Sequence, residues 1–302
     1  MSHRSLSFPL ERLAEIQTRP LDFRLLERIP LTCPEQTWPL SLGPAVGDER
    51  PMVLLDTETT GLEAADDAII ELGMVRLRYS PSAHRLVSVE ATLSLYEDPG
   101  RPIPEFITRL TGITDAMVSG QRMDDAQVAA FLDGDPLIVA HNAGFDRPFF
   151  ERRFSTLDHL PWACSAYGVD WSELGFESRK LEYLLLRLGW FYDGHRATND
   201  TLAMAWLFHR MPAALEALLV EARRTTVRVQ AFGAPFDVKD ALRERGYRWH
   251  NGTSGPNRHW WCEVDAAALG EEQAFLDALY HNGSEQAHYV RRTAWNRFKD
   301  TL

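Results

Sequence analysis

From Pro51 onward the spacing of apolar residues switches repeatedly between a strand-like and a helix-like repeat, which fits a mixed α/β body and little else. PMVLLDTE reads as a short apolar strand ending in polar residues. AIIELGMVRLRY and RLVSVEATLSLY are long β-rich runs, DAQVAAFLD is an amphipathic helix, and LIVAH is a second buried strand followed by the helical DRPFFERRF. Helices are expected at SRKLEYLLLRLG, NDTLAMAWLFHRM and PAALEALLVEARR, and near Arg223 the repeat changes again. Residues 227–302 then read as strand (VRVQAF), helix (DVKDALRERG), strand (YRWH), glycine-rich turn (NGTSG), strand (RHWWCEV), helix (EEQAFLDALY) and a last strand near HYVRR. Three segments follow: 1–50, a proline-rich appendage; 51–222, the main domain; and 227–302, a small α+β unit expected to dock on it. In the appendage ERLAEIQ and LDFRLLERI have helical spacing, and Leu21, Phe23, Leu25, Leu26 and Trp38 are expected to pack on the body.

Composition narrows the class. Of 302 residues 45% are hydrophobic and 25% charged, which excludes collagenous, disordered and disulfide-scaffold chains. No run reaches the roughly 18 apolar residues of a membrane span, and MSHRSLSFPLERLAEIQ lacks the apolar stretch of a secretory signal, so a cytoplasmic location without membrane contact is expected. Cys33, Cys164 and Cys262 are odd in number and form no CxxC pair, so buried free thiols are expected instead of disulfides or a zinc ribbon. The net charge of −11 is uneven. Residues 223–302 carry 12 basic and 10 acidic side chains, leaving 20 against 33 in residues 1–222. The larger part therefore lacks the basic footprint of a long-duplex binder.

Three short motifs carry the candidate chemistry. Asp56-Thr57-Glu58-Thr59-Thr60-Gly61 ends the first strand, and strand alternation puts Asp56 and Glu58 on one side. Two carboxylates held together repel unless a cation lies between them, and hard oxygen donors suit Mg²⁺ or Mn²⁺. His141-Asn142-Ala143-Gly144-Phe145-Asp146 follows LIVAH, with Asp146 opening a helix. In His195-Arg196-Ala197-Thr198-Asn199-Asp200, a continuous helix would turn the first and last side chains about 140° apart. His195 and Asp200 converge only if the histidine lies in the loop and the aspartate in the first helical turn, with Thr198 or Asn199 as cap. Each motif alone has an ordinary structural explanation: a polar strand end, a helix cap, a surface histidine. Glu71, among apolar residues with Arg76 and Arg78 nearby, is expected in a structural salt bridge. Ser165 has no triad partners in view.

Taken together and in this order, the motifs resemble the DnaQ-like 3′→5′ exonucleases of the DEDDh type, in particular DNA polymerase III epsilon-subunit-like sequences. IIELG, ITRLTGIT, HNAGFD, KLEYL and HRATND extend the resemblance over roughly residues 51–212. It implies a ribonuclease-H-like α/β fold with a mixed central sheet. It also implies that Asp56, Glu58, Asp146 and Asp200 hold two divalent cations, Mg²⁺ or Mn²⁺, with His195 as general base. Two metals about 3.5–4 Å apart can clamp the attacking and leaving oxygens of a phosphodiester, and a histidine with an ordinary pKa near 6.5 can accept a proton at neutral pH. By the same resemblance Thr57, Thr59, Gly61 and Leu62 contact the terminal nucleotide, Leu62 as a wedge between bases, and His141 and Phe145 wall the pocket.

The expected reaction is release of nucleoside 5′-monophosphates from 3′ ends of single-stranded or frayed nucleic acid, DNA ahead of RNA. An exoribonuclease of the same fold and a non-catalytic replication or repair module are the alternatives. In residues 227–302, Trp249, Trp260, Trp261 and Trp295 alternate with arginines that include Arg243, Arg245, Arg248, Arg258, Arg291, Arg292 and Arg297. Such a surface suits single-stranded nucleic acid or a protein partner; the ordinary explanation is a tryptophan-filled core with solvated arginines. Oligomeric state is not written in the sequence.

Overall fold

The computed structural model describes residues 10–33, 35–252 and 258–299. A six-stranded mixed sheet organises the larger part, formed by a short edge, Leu40–Ser41, with β1 (Arg50–Thr59), β2 (Ile69–Ser80), β3 (Arg85–Tyr96), β4 (Leu137–Ala140) and β5 (Trp162–Cys164). The order across the sheet is Leu40–Ser41, β3, β2, β1, β4, β5, with β1 antiparallel to β2 and parallel to β4. This is the ribonuclease-H-like arrangement that the motifs imply.

β1 is apolar at each position from Met52 to Leu55 because both its faces are covered. Met52 and Leu54 enter a cluster with α2 (Leu181–Arg187), α3 (Ala197–Arg210) and α4 (Pro212–Arg223). Val53 and Leu55 enter the opposite cluster, with α1 (Ala143–Arg153). Full burial of each such side chain contributes about 1.5–3 kcal/mol, so the strand that ends in the acidic motif is firmly anchored. α1 starts at Ala143, three residues before Asp146, so the aspartate sits inside the first turn and does not open the helix.

The N-terminal segment departs from its pattern. LDFRLLERI is not a helix: Pro20–Asp22 forms one 3₁₀ turn, and Glu27–Arg28 pairs in parallel with Trp190–Phe191. The stretch between Pro20 and Pro30 is too short to sustain a helix alone, and Glu27 and Ile29 instead donate to the carbonyls of Gly189 and Phe191 at 2.9 and 3.0 Å. Ile29 and Leu31 are the buried anchors, and Trp38 packs beside them. Leu21, Leu25 and Leu26 are exposed. Cys33 is exposed too, while Cys164 and Cys262 are buried free thiols.

A second sheet contains β6 (Thr226–Ala231), β7 (Arg248–His250), β8 (His259–Asp265) and β9 (His288–Arg292), in the antiparallel order β7-β8-β6-β9. One face packs Val227, Val229 and Cys262 against the helices Lys239–Glu244 and Leu269–Leu279. Most of the expected NGTSG turn lies outside the described residues, as do 256 and 257. Trp260 joins this core while Trp249 and Trp295 are half-exposed. Arg292 and Arg297 are buried, contrary to the solvated arginines of the ordinary explanation.

After β9 the chain returns to the first sheet. The Trp162 amide donates to the Ala294 carbonyl at 2.8 Å, and Phe298 packs on the cluster beneath α1. Arg147, fully buried on α1, donates to the carbonyls of Ala294, Trp295 and Arg297 at 3.0, 2.7 and 2.7 Å. Among the described residues no helix is long and apolar enough to cross a membrane.

Candidate active site

The side-chain alternation that buries Met52 and Leu54 under α3 carries on past the apolar run. Asp56 and Glu58 therefore face α3, and Thr57 faces α1. Each meets an acid from its own side. Toward α3, one carboxylate oxygen from each of Asp56, Glu58 and Asp200 lies within 4.8 Å of the others. Toward α1, the Asp146 Oδ1 accepts from the Thr57 amide at 3.1 Å and the Thr57 hydroxyl at 2.9 Å. The four acids, His141, Phe145 and His195 line a single cavity of about 220 Å³. A larger cavity of about 910 Å³, lined by Asp48, Tyr79 and Trp295 among others, contains none of the motif acids, so volume alone does not mark the site.

How α3 reaches this position follows from three features. Gly73 stands opposite Asp56 in the β1–β2 register, and a Cβ there would run into the backbone of Ala197 and Thr198. Glu71, fully buried one turn of pleat away, receives Arg196 at 3.1 and 3.2 Å and the Ala197 amide at 3.3 Å. Asp200 Oδ2 accepts from the Arg196 amide at 3.1 Å, and its Oδ1 from the Tyr192 hydroxyl at 2.8 Å. The helix cap is thus Arg196, without Thr198 or Asn199 acting as cap, because neighbouring carboxylates already satisfy the first amides. The structural salt bridge expected of Glu71 exists, but its partner is Arg196. Arg76 and Arg78 lie farther along β2 and pair with Glu90. His195 sits in the preceding loop, exposed, at φ +62°. Left-handed backbone of this kind costs a non-glycine residue about 1–2 kcal/mol and is tolerated where surrounding bonds fix it.

Packing acids this closely alters their protonation. Burial, then the charges of Asp146 and Asp200, hold the Asp56 carboxyl well above the usual carboxylate range. Burial, then Asp200, pushes Glu58 up to about 8. Asp146 rises to about 7 through burial, against the opposing effect of the two Thr57 hydrogen bonds. Asp200 is raised by burial as well, with the Tyr192 bond opposing. The nearest guanidinium, Arg196, is committed to Glu71. An oxygen-only set of closely packed, mutually repelling carboxylates fits a hard divalent metal ion.

The remaining expected residues have visible employment. The Thr59 hydroxyl donates to the Gly61 carbonyl at 2.6 Å, and a Cβ at Gly61 would collide with the Asp67 carboxylate, so the close approach at this glycine is to the chain itself. Leu62 is 79% exposed. His141 is held at both nitrogens, by Ser165 Oγ at 2.8 Å and the Arg179 carbonyl at 2.7 Å, with its pKa lowered to about 4 chiefly by burial. A carbonyl only accepts, so Nε2 carries the proton and Nδ1 accepts from Ser165. Ser165 is fully buried in this role. Tyr192 was not marked by the sequence motifs. Its only signal is its place four residues before the end of a loop whose far side carries Asp200.

A mixed sheet with a carboxylate-lined pocket at the end of its central strand defines a ribonuclease-H-like nuclease. The family profile described as Exonuclease matches residues 53–208, just over half of the chain, and the chain belongs to this family: it carries a DnaQ-like exonuclease domain and is a nuclease, a hydrolase. Members of the family depend on divalent metal ions. The DNA polymerase III PolC-type of Latilactobacillus sakei subsp. sakei (strain 23K) is 37% identical over 172 residues, 53% of this chain and 11% of that protein. The DNA polymerase III PolC-type of Bacillus subtilis (strain 168) is 33% identical over 173 residues, 54% of this chain and 12% of that protein. The match thus spans about a tenth of the length of these relatives. Among solved structures, exonuclease X in complex with 5′ overhanging duplex DNA covers 56% of this chain and 99% of its own, at 22% identity and TM-score 0.42.

Proposed function

We propose that the chain is a 3′→5′ exonuclease that removes nucleoside 5′-monophosphates from single-stranded or frayed ends, with DNA preferred to RNA. The observation that carries this reading is the convergence of Asp56, Glu58 and Asp200 oxygens within 4.8 Å in a cavity that Asp146 and His195 also line. Asp56, Glu58 and Asp200, with Asp146 across the strand, would hold two divalent cations, Mg²⁺ or Mn²⁺. Bound there, the cations supply Lewis acidity and charge for the phosphoryl oxygens. His195, exposed at the mouth, accepts the proton of the attacking water. Water adds to phosphorus as the 3′ oxygen of the preceding nucleotide leaves and takes up a proton.

Thr57 holds Asp146 through its side chain and leaves its backbone carbonyl for the terminal sugar. Thr59 and Gly61 shape the turn that presents Leu62, whose exposed side chain inserts beside the terminal base. His141, neutral and clamped at both nitrogens, walls the pocket with Phe145. A cavity of about 220 Å³ suits one nucleotide's reacting end better than a duplex, which supports the single-strand preference. The DNA polymerase III relatives support DNA over RNA. Residues 51–222 form the exonuclease domain in this reading, residues 1–50 an appendage, and residues 227–302 an accessory unit for nucleic acid or a replication or repair partner.

The test is time-resolved digestion of a 5′-labelled single-stranded DNA oligonucleotide and its RNA counterpart, with Mg²⁺, Mn²⁺ or chelator. A ladder shortening from the 3′ end, absent in chelator and slowed about 10²–10⁴-fold by His195→Ala, is expected. Faster RNA cleavage would reverse the substrate preference, and no ladder with either metal on either substrate would sink the catalytic reading.

A further inference from the structure

In the second sheet Arg228 of β6 stands opposite Glu263 of β8, and Arg292 of β9 opposite Thr226. Residues opposite one another, and those two apart on a strand, share a face. Arg228, Glu263 and Arg292 therefore project from the side away from the apolar core, toward the exonuclease domain. With Arg297 they close a cavity of about 150 Å³ whose other wall includes Cys164, Gly168 and Leu218.

The three arginines are 9%, 5% and 6% exposed, and their hydrogen bonding is incomplete. Arg297 spends its two terminal nitrogens on the carbonyls of Glu221, at 2.7 Å, and Arg224. Arg228 approaches Glu263 only to 3.6 Å and stacks on Trp261, 4.5 Å from the ring centroid. Nε and Nη1 of Arg228, Nε of Arg292 and Nε of Arg297 are buried without an acceptor among the described residues. Three guanidinium groups face two carboxylates, Glu221 and Glu263, and Glu221 is shared with Arg224. Burial lowers the pKa of Arg228, and burial with the neighbouring Arg228 charge lowers that of Arg292.

We propose that this cavity binds a small tetrahedral oxyanion of the phosphate class, held by Arg228, Arg292 and Arg297 between the second sheet and the exonuclease domain. The oxygens of such an anion offer acceptors to guanidinium groups whose hydrogen bonding is incomplete, and its charge offsets the surplus of guanidinium over carboxylate at the cavity wall. At about 30 Å³ for each water displaced, the volume admits a phosphate group with a little solvent, but not a whole nucleotide. A nucleotide's sugar and base would remain outside, beside the exposed ring of Tyr167 at the rim. None of the three arginines lines the acid-lined pocket, so the two sites are separate.

The test uses the full chain in EDTA, which keeps cations off the acids, with inorganic phosphate in one arm and a nucleoside 5′-monophosphate in the other. Ionic strength is matched with chloride. A rise in Tm of roughly 5 °C is expected at a hundredfold excess over Kd. Arg292→Met should weaken phosphate binding at least about tenfold while its Tm in phosphate-free buffer equals or exceeds that of the parent, since a mutually repelling cation is gone. Arg228→Met provides the same readout should Arg292→Met misfold. Mononucleotide binding stronger than phosphate assigns the rim to the nucleoside, and equal binding assigns the phosphate group alone; both support the site. No response beyond chloride in either arm, or an undiminished response in both variants, overturns it.

Discussion

Asp200 is oriented from two sides, by the Tyr192 hydroxyl on one oxygen and the Arg196 amide on the other. In the proposed site Asp200 is a cation ligand, and groups that orient such a ligand commonly change affinity or activity by about 10–100-fold when removed. Tyr192→Phe should therefore raise the Mn²⁺ dissociation constant and lower kcat within that range, with thermal stability nearly unchanged. Calorimetric Mn²⁺ titration beside single-turnover kinetics checks both, and an unchanged metal affinity would deny Tyr192 this role. At this scale spacing alone placed Asp56 and Glu58 on one side of a strand; the meeting of Asp146, His195 and Asp200 with them was expected only from the family resemblance of the three motifs in order, and all five do line one cavity. Tyr192 and the true partner of Glu71 were not legible. A hydrogen bond between a loop and a helix, or an ion pair spanning 125 positions, leaves no periodic trace.

The placement of α3 against β2 depends on an absent side chain. Gly73→Ala would force the start of α3 off the strand, and overpacking of this kind costs about 1–3 kcal/mol. A Tm lowered accordingly and a weakened Mn²⁺ affinity are expected together, since Asp200 moves with the helix; a Tm equal to the parent's would show that the contact relaxes freely. Strands rich in β-branched and aromatic residues were read almost residue for residue: RLVSVEATLSLY is β3 and HYVRR is β9. LDFRLLERI was misread because its apolar spacing has no long-range term. Ile29 and Leu31 were captured by the main core, and pairing with Trp190–Phe191 claimed the backbone that a helix would have used.

For the molecule as a whole, the buried acids couple stability to pH and metal. Glu58 titrates near its ordinary 4.5 when unfolded and at about 8 when folded. Its protonated form is thus favoured by the fold, and the stability linked to that proton is present below about pH 4.5 and lost as pH rises through 8. Asp146, moved to about 7, acts in the same sense. Metal-free protein should melt at progressively lower temperature between pH 5 and pH 8, and saturating Mg²⁺ should restore more stability at pH 8 than at pH 5. Calorimetric scans in chelator and in Mg²⁺ check the sign, and a metal-free Tm rising over that interval would contradict it.

The Arg147 clasp bears on how portable the nuclease is. Residues 51–222 look separable on a linear map, yet the helix that carries Asp146 also carries a sealed guanidinium that, beside its pairing with Glu151, spends three hydrogen bonds on carbonyls at residues 294–297. A gene fusion or recombination event transplanting 51–222 alone would keep the Arg147–Glu151 pair but lose the three carbonyls, and hydrogen bonds to a charged group contribute about 1.5–3 kcal/mol each. The unit of inheritance is therefore discontinuous: the stretch around Ala294 has to travel with the nuclease, and the second sheet is carried along as cargo between them.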